Sequence, residues 1–534
     1  MISSSKSAGV EKGNKVPILL GSVLIIAICG ILYELLISTI SSYFQGSSIL
    51  HFSIVIGLFL SFMGIGSFLS KYFKRNLLDW FIRFEILLAV VGGFSSLLLY
   101  MVYSLSPYFY LVAFIIIGLL GSLIGLEIPL LTRIVRQYES LKDAMAKVLS
   151  FDYLGSLIAS LAFPLILLPL LGVMRTAFVI GLLNIAVAIL NIYLFQEELK
   201  HSKLLGGICI GIVTMLITGF SYSLQLTGFF EQFLYRDPIM MSEQSAYQRI
   251  VITQRNQDTR LFIDGNIQFS SRDEYRYHEP LVHIPAALTL NLKKVLILGG
   301  GDGLATRELL KHEGIDSILV IDLDPEITRL GKRHPIFRKL NENAFDDPRV
   351  KIYNRDAYKY LEQSSEIYDL ILIDLPDPNN TDLGKLYSRE FYEIIQSRLS
   401  AGGVVVTQST SPYFARPAFW CINKTMEAVF PVVLPYSANV PSFGQWGFNL
   451  GMKTPGKLKN GGELKDSLKQ QAEKEIGKVL FKGKTDFQLK YLKEGMLLNL
   501  FEFAEDTSPL EVEINQIHNQ KLVQYYESSW SQWE

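Results

Sequence analysis

Cysteine is scarce in this 534-residue chain, where Cys29, Cys209 and Cys421 stand far apart. Three residues so scattered exclude a disulfide framework and a four-ligand zinc site. The seven histidines form no cluster with them, so no metal is expected. Charge is also scarce, but only in one half. From Val16 to about Leu224 apolar runs follow one another with few charges between them, whereas the remainder is rich in Lys, Asp and Glu. The formal net charge of -1 averages two unlike parts, and no basic tract argues for a nucleic-acid partner.

What the first half does contain is seven apolar segments, at roughly 17–40, 50–70, 80–103, 107–132, 148–171, 174–195 and 204–224. Each approaches the ~20 residues that cross a bilayer as a helix. The lipid bilayer is therefore an expected partner, and an inner-membrane, multi-pass location follows. Lys6, Lys12 and Lys15 precede the first segment; Lys71, Lys74 and Arg75 follow the second; Arg133, Arg136, Lys142 and Lys147 follow the fourth; Lys200 and Lys203 follow the sixth. By the positive-inside rule the N-terminus and the even-numbered loops are cytoplasmic. Seven crossings would then put the second half outside. Its expected ligand is a cytosolic metabolite, so the second half is placed in the cytoplasm and the count is expected to be off by one, with "LQLTGFFEQFLY" a poor candidate for an extra crossing.

Glu34, Glu85, Glu127 and Asp152 lie within these segments. A carboxylate at membrane depth faces a partner, a cavity or water. The preferred expectation is pairing with Arg83, Arg133 or Arg175, or a wet position near a segment end; the alternative is a cation site. Gly118, Gly121, Ser122 and Gly125 read as helix-packing positions.

The second half opens with short β runs, "YQRIVIT", "RLFI" and "IQFS", with Asp264-Gly265-Asn266 as a hairpin turn. Then strand-like runs at 294–298, 317–322, 350–353, 369–374 and 403–408 alternate with helix-like stretches at 304–312, 325–334, 356–363, 387–399 and 415–428. Such alternation gives a parallel sheet with helices on both faces. The expected organisation is a polar tail 1–15, a multi-pass helical domain 16–225, a β-rich subdomain 226–292, a Rossmann-like α/β domain 293–452 of the S-adenosylmethionine-methyltransferase type, and a linker or lid 453–534. Ligands of such sheets lie beyond the carboxyl ends of the strands. Four residues just after those ends are acidic: Asp302, Asp322, Asp356 and Asp374.

Gly299, Gly301 and Gly303 let the backbone of "GGGDG" approach a ligand. Asp322, about 20 residues on, suits two ribose hydroxyls, and Asp356 suits an adenine amino group. A dinucleotide fits poorly, because "LATREL" follows where a further glycine is wanted and Asp302 would repel a pyrophosphate. S-adenosylmethionine carries a carboxylate and an ammonium on its tail. Without that carboxylate the tail is a plain cation, and Asp302 has one clean partner. Against this stands a simpler role for Asp302 as a first-turn acid favoured by the helix dipole.

"YQ" (247–248), "DG" (264–265) with Gln268, "RDEYRYHE" (272–279), "GGGDG" (299–303), "DLDP" (322–325), "RDA" (355–357), "DLPDP" (374–378) and "REFY" (389–392) resemble the spermidine synthase, or polyamine aminopropyltransferase, family in order and spacing, over about residues 240–452. The apolar front resembles that family's membrane-anchored bacterial members. The resemblance implies a co-substrate, decarboxylated S-adenosylmethionine, with no permanently bound cofactor and no metal. It implies a donor site of Gln248, Gly299, Gly301, Asp302, Gly303, Asp322 and Asp356, and a catalytic acid/base, Asp374. It implies an amine site of Tyr277, His278, Asp377 and Gln408, with Tyr277, His278 and Gln248 along the substrate tail, and a homo-oligomer, dimer or tetramer. Putrescine is the default acceptor and spermidine the product.

The chain departs from the pattern in two ways. Pro376 stands where Ser or Thr is usual, and "NNTD" where Gly-Pro is usual. "PSFGQWGF" (441–448) keeps the Gly-Gln-x-Gly-Phe pattern, but no tyrosine before it can be placed in the amine pocket. Two other readings are a polyamine transporter or sensor that binds without turnover, and a methyltransferase on the same fold.

Overall fold

The computed structural model describes residues 5–45, 48–453, 465–481 and 488–532. The chain divides into two compact units, Met1–Ile239 and Met240–Glu534.

In the first unit six helical stretches are long and apolar enough to cross a membrane: Lys15–Phe44, His51–Tyr72, Leu77–Leu105, Phe109–Val135, Leu141–Leu194 and Ser202–Gln232. The fifth has 54 residues, which as one straight helix would be about 80 Å long. It is not straight. Gly172 sits at φ 70° and ψ 179°, and the Thr176 hydroxyl lies 3.4 Å from the Leu167 carbonyl oxygen. A continuous helix would hold those residues about 13 Å apart. The chain turns back at Gly172, and its two legs match the expected segments 148–171 and 174–195.

Side-chain pairs fix the directions. Lys15 meets Glu198 at 2.7 Å and Asn191 donates to Ser22 at 2.9 Å, so the leg after Gly172 runs antiparallel to the first helix. Arg175 donates to Ser223 at 3.1 Å and Ser104 to the Phe230 carbonyl at 3.0 Å. The last helix therefore ends at the face opposite Lys15, and the number of legs is odd. "LQLTGFFEQFLY" is no extra crossing, since the helix Ser202–Gln232 runs into it. The expected boundary at 225 moves for the same reason, to the division after Ile239. Nor is 1–15 simply a tail, because the first helix begins at Ser5. Packing by small residues holds as expected: a Cβ on Gly121 would meet the Phe59 carbonyl oxygen at 2.9 Å, and one on Gly125 would collide with that of Met63.

The expected arginine partners of the intramembrane acids are otherwise engaged. Arg83 pairs with Asp79 at 2.9 Å. Arg133 donates to the carbonyls of Phe73, Ser70 and Pro129, and Arg175 to Ser223. Glu85 and Glu127 are 0% exposed, so they are not wet either.

The second unit holds two sheets. Strands β1 (Ile239–Gln244), β2 (Arg249–Arg255), β3 (Asp258–Ile263) and β4 (Asn266–Ser270) form a four-stranded sheet in sequence order. Asp264 and Gly265, at φ 48° and 81°, make the two-residue turn that right-handed strand twist favours. All five expected parallel strands are present: β5 (Lys294–Gly299), β6 (Ser317–Asp322), β7 (Val350–Asn354), β8 (Tyr368–Asp374) and β9 (Leu399–Gln408). With β10 (Val432–Val440) and β11 (Gly444–Met452) they lie in the order β10-β11-β9-β8-β5-β6-β7, with β10 and β11 antiparallel. Val295 to Leu298 on β5 are fully buried, as suits a central strand covered on both faces. Successive strands leave β5 in opposite directions, to β6 on one side and β8 on the other, which opens a crevice at their carboxyl ends.

Of the expected linker 453–534, residues 454–464 and 482–487 lie outside the described residues, as do 533–534. Lys465–Leu480 is a helix that buries Ala472, Ile476 and Leu480 in the core of this unit, which is packing rather than a solvated linker. The helix Lys521–Trp530 closes the described chain.

Candidate active site

The glycines of the loop after β5 are dictated by contact. Gly299 has φ 85°, and a Cβ there would collide with the Asp374 carbonyl oxygen of β8. A Cβ on Gly301 would lie 2.5 Å from Asp322 Oδ2, which instead accepts the Gly301 N–H at 3.0 Å. Gly303, at φ 84°, packs on Asn341. The loop is thus pressed between the ends of β6 and β8, and brings Asp302, Asp322 and Asp374 into one crevice.

Asp302 Oδ1 accepts the Leu304 N–H at 2.9 Å. The simpler role is therefore real for one oxygen, Oδ1. Burial pushes the carboxyl up to about 6, with the Asp374 and Glu274 charges adding and His278 opposing. Asp322 rises to about 7, chiefly through burial and against its bonds from Asp324 and Gly301. Asp324 lies behind it, its N–H bonded to Asp322 Oδ1 at 2.9 Å. Gln248 donates to Asp324 Oδ2 at 2.9 Å, which fixes it beside the end of β6. Asp356 caps the helix Ala357–Gln363 through the N–H groups of Tyr358 and Lys359, and its Oδ2 is 3.9 Å from Lys385.

The helix Tyr275–Leu288 supplies the opposite wall. Tyr277 donates to Asp374 Oδ1 at 2.6 Å. Burial raises the Asp374 carboxyl against the pull of His278 and Tyr277. His278 is fixed by Glu274, 3.0 Å from Nδ1. Burial alone would lower His278, but the Glu274 bond and charge win and hold it at about 9, a cation at neutral pH. Glu274 in turn receives both terminal nitrogens of Arg307, at 3.0 and 2.9 Å.

Beside this lies a second cluster of polar side chains, around Asp377. Its Oδ1 accepts from Gln408 at 3.2 Å, and its Oδ2 from Thr410 at 3.2 Å and Tyr526 at 3.0 Å. Burial still lifts Asp377 to about 6 over these bonds. Gln408, itself buried, also donates to the Leu375 carbonyl and to Tyr387, and receives the Thr410 N–H. The charge of Asp377 reaches Tyr277, so the two adjoin.

Three residues of this cluster escape a reading of the sequence. Thr410 holds φ 56°, strained for a β-branched residue, and the strain aims its hydroxyl at Asp377. Tyr387 backs Gln408. Tyr526, near the end of the described chain, brings a phenol to Asp377. Nothing local marks Thr410 or Tyr526; only "YYESSWSQW" hinted that the tail packs.

A Spermine/spermidine synthase domain matches residues 274–460. A polyamine aminopropyltransferase of Leptospira interrogans is 43% identical over 510 residues, 96% of this chain and 98% of the relative. Polyamine aminopropyltransferase 1 of Ralstonia nicotianae is 40% identical over 531 residues, 98% of this chain and 96% of the relative. The crystal structure of spermidine synthase from Thermotoga maritima is 26% identical, covering 50% of this chain and 84% of that one, with a TM-score of 0.42. The two full-length relatives at this identity show that the chain belongs to the polyamine aminopropyltransferase family.

Proposed function

We propose that the chain transfers the 3-aminopropyl group of decarboxylated S-adenosylmethionine to a diamine, putrescine by default, giving spermidine and methylthioadenosine. The observation that carries this reading is the charge balance of the crevice. Asp302, Asp322 and Asp374 gather there, with Asp377 beside them, and the cation whose field reaches Asp302 and Asp374 is His278. A donor with a sulfonium and an ammonium supplies the missing positive charge.

In this reading Asp322 takes the ribose, Asp356 the adenine and Asp302 Oδ2 the aminopropyl ammonium. Asp377, bracketed by Gln408, Thr410 and Tyr526, holds the distal ammonium of the diamine. The near nitrogen then faces Asp374. Freeing an amine whose pKa is ~10.4 costs about 4–5 kcal/mol at pH 7. A carboxylate lifted by burial is a better base for that proton. The nitrogen attacks the CH2 beside the sulfonium, the C–S electron pair returns to sulfur, and Asp374 takes the proton. Tyr277 holds Asp374 in place throughout.

Incubation of the purified protein with putrescine and either donor tests this. Methylthioadenosine from the decarboxylated donor alone is expected. S-adenosylhomocysteine from the carboxylated donor would show a methyltransferase, and binding without product a sensor or transporter.

The helical unit is proposed to sit in the inner membrane. Leu60, Leu165, Leu170 and Ile210 are among many large apolar side chains on its outside, a surface that suits lipid. The catalytic unit is assigned to the cytoplasm, because a dicationic donor made there does not cross an apolar bilayer. The odd number of legs then puts the Lys- and Arg-rich loops outside, against the usual bias. A C-terminal fluorescent-protein fusion should glow, and a C-terminal alkaline phosphatase fusion should be silent; the reverse pattern would move the catalytic unit outside. A dimer or tetramer is proposed by family resemblance, with light scattering in detergent as its check.

A further inference from the structure

The aminopropyl-transfer chemistry leaves one group of buried side chains unused, in the interior of the helical unit. Glu85 on the helix Leu77–Gly93 and Glu127 on the helix Phe109–Val135 are both 0% exposed, and their carboxyls are within hydrogen-bond reach of one another. Asn184, 1% exposed on the leg after Gly172, donates to Glu85 Oε2 at 3.1 Å. Glu85 Oε1, both oxygens of Glu127 and Asn184 Oδ1 have no donor facing them. Four buried acceptor oxygens on three neighbouring helices thus lack a donor. The other titratable groups whose fields reach the two acids are Cys29 and Tyr33 on the first helix. Cys29 lies 3.9 Å from the Ile180 carbonyl and Tyr33 donates to that of Leu88 at 3.4 Å, so neither donor is spent on the acids. Among the described residues no Lys or Arg pairs with either glutamate, Arg83, Arg133 and Arg175 being engaged elsewhere.

Two ionised carboxylates cannot touch in a dry interior without a cation between them. Asn184, an amide rather than an acid, is tied to the pair through its nitrogen and keeps a buried oxygen that no donor meets. We propose that Glu85, Glu127 and Asn184 form a proton-binding site in the helical unit, holding one exchangeable proton shared by the two carboxyls. Direct carboxyl-to-carboxyl contact favours a proton over a metal ion, which would hold the two groups apart by its own diameter. The shared proton closes one hydrogen bond and leaves a single negative charge, on which the Asn184 amide already bears. A helical unit that served only to anchor the chain would be better packed with apolar residues here. The acid pair gives this unit a protonation state of its own, separate from the chemistry in the second unit.

Infrared difference spectroscopy on the full chain in detergent near neutral pH tests the proposal. The spectrum of the wild type minus Glu85→Gln/Glu127→Gln is recorded in H2O and in D2O. One protonated-carboxyl stretch that moves down in D2O is expected in the difference. Only carboxylate stretches in the difference, with or without sodium in the buffer, would overturn it. A protonated-carboxyl band that fails to shift in D2O would overturn exchange. If the double variant does not elute as a monodisperse species, Glu127→Gln alone is used: the D2O-sensitive protonated-carboxyl band of the wild type should be lost or displaced, because the remaining carboxyl no longer shares its proton, and no change in that region would overturn the proposal.

Discussion

Two carboxylates divide the chemistry at the residue scale, and their partners tell them apart. Asp374 has one oxygen held by Tyr277 and one left for a proton. Asp374→Asn keeps the shape and loses the base, so transfer should fall by at least about 10²-fold while donor affinity, read by calorimetry, stays within a few-fold. Unchanged turnover would remove Asp374 from the mechanism. Asp377 is held on both oxygens by Gln408, Thr410 and Tyr526, as suits a group that positions an ammonium. Tyr526→Phe removes a bond to a charged acceptor, typically about 1.5–3 kcal/mol. The expectation is a rise of about tenfold or more in the KM for the diamine, with the donor's affinity unmoved. An effect on donor binding alone would place Tyr526 outside the amine pocket.

Among the elements, legibility followed how local the cause of each one is. The five parallel strands stood out because a strand buried on both faces must be an unbroken apolar run, as "VLIL" and "LILI" are. The hairpin at Asp264-Gly265 was equally plain, since its left-handed turn demands those residue types. The helix Tyr275–Leu288 did not show as one, because Pro280 and Pro285 interrupt it and proline argues against a helix interior. It forms because tertiary contacts override propensity: Glu279, 1% exposed, accepts the successive N–H groups of Lys490, Tyr491 and Leu492 at 2.7, 2.9 and 2.9 Å. No pattern in the sequence links residue 279 to residue 490. Glu279→Gln leaves those N–H groups facing a weaker, half-donating amide. A loss of about 2–3 kcal/mol in denaturant unfolding is expected, with earlier proteolysis near Lys490; an unchanged midpoint would mean that the tail is held by its apolar contacts. The acidic row was legible as a row, but the partners of each acid were not. Pairing of Glu85 and Glu127 with arginines was the natural expectation, and it failed because Arg133 caps backbone carbonyls instead.

For the whole molecule, the catalytic unit carries opposed pH responses. Asp302, Asp322 and Asp377 are raised to about 6, 7 and 6 from 3.8. The folded free enzyme therefore binds more protons than the unfolded chain between those values, and these groups make stability fall as pH rises from about 4 to about 7. Glu274 is buried, which by itself would raise it, yet the His278 and Arg307 bonds lower it from 4.5 to about 2. Its contribution is present above 4.5 and is lost as pH falls toward 2. His278, raised from 6.5 to about 9, contributes fully below 6.5 and loses its part as pH climbs through 9. The Tm of the free enzyme should thus decline between pH 5 and 7.5. Saturating cationic donor should remove most of that decline, and donor binding should release protons and tighten with pH over the same interval. A flat Tm profile with no proton release would show that the acids are solvated rather than buried together.

The central claim is that the crevice distinguishes donors by the charge of their tail, with Asp302 as the discriminating group. Two like charges about 5 Å apart at an effective dielectric of 20 repel by about 3 kcal/mol, roughly 10²-fold in affinity. Calorimetry of S-adenosylmethionine and its decarboxylated form on the wild type and on Asp302→Asn measures this directly. The decarboxylated donor should bind about 10²-fold more tightly to the wild type, and most of that preference should vanish in Asp302→Asn. Equal affinities on the wild type, or a preference that survives the substitution intact, would contradict the account.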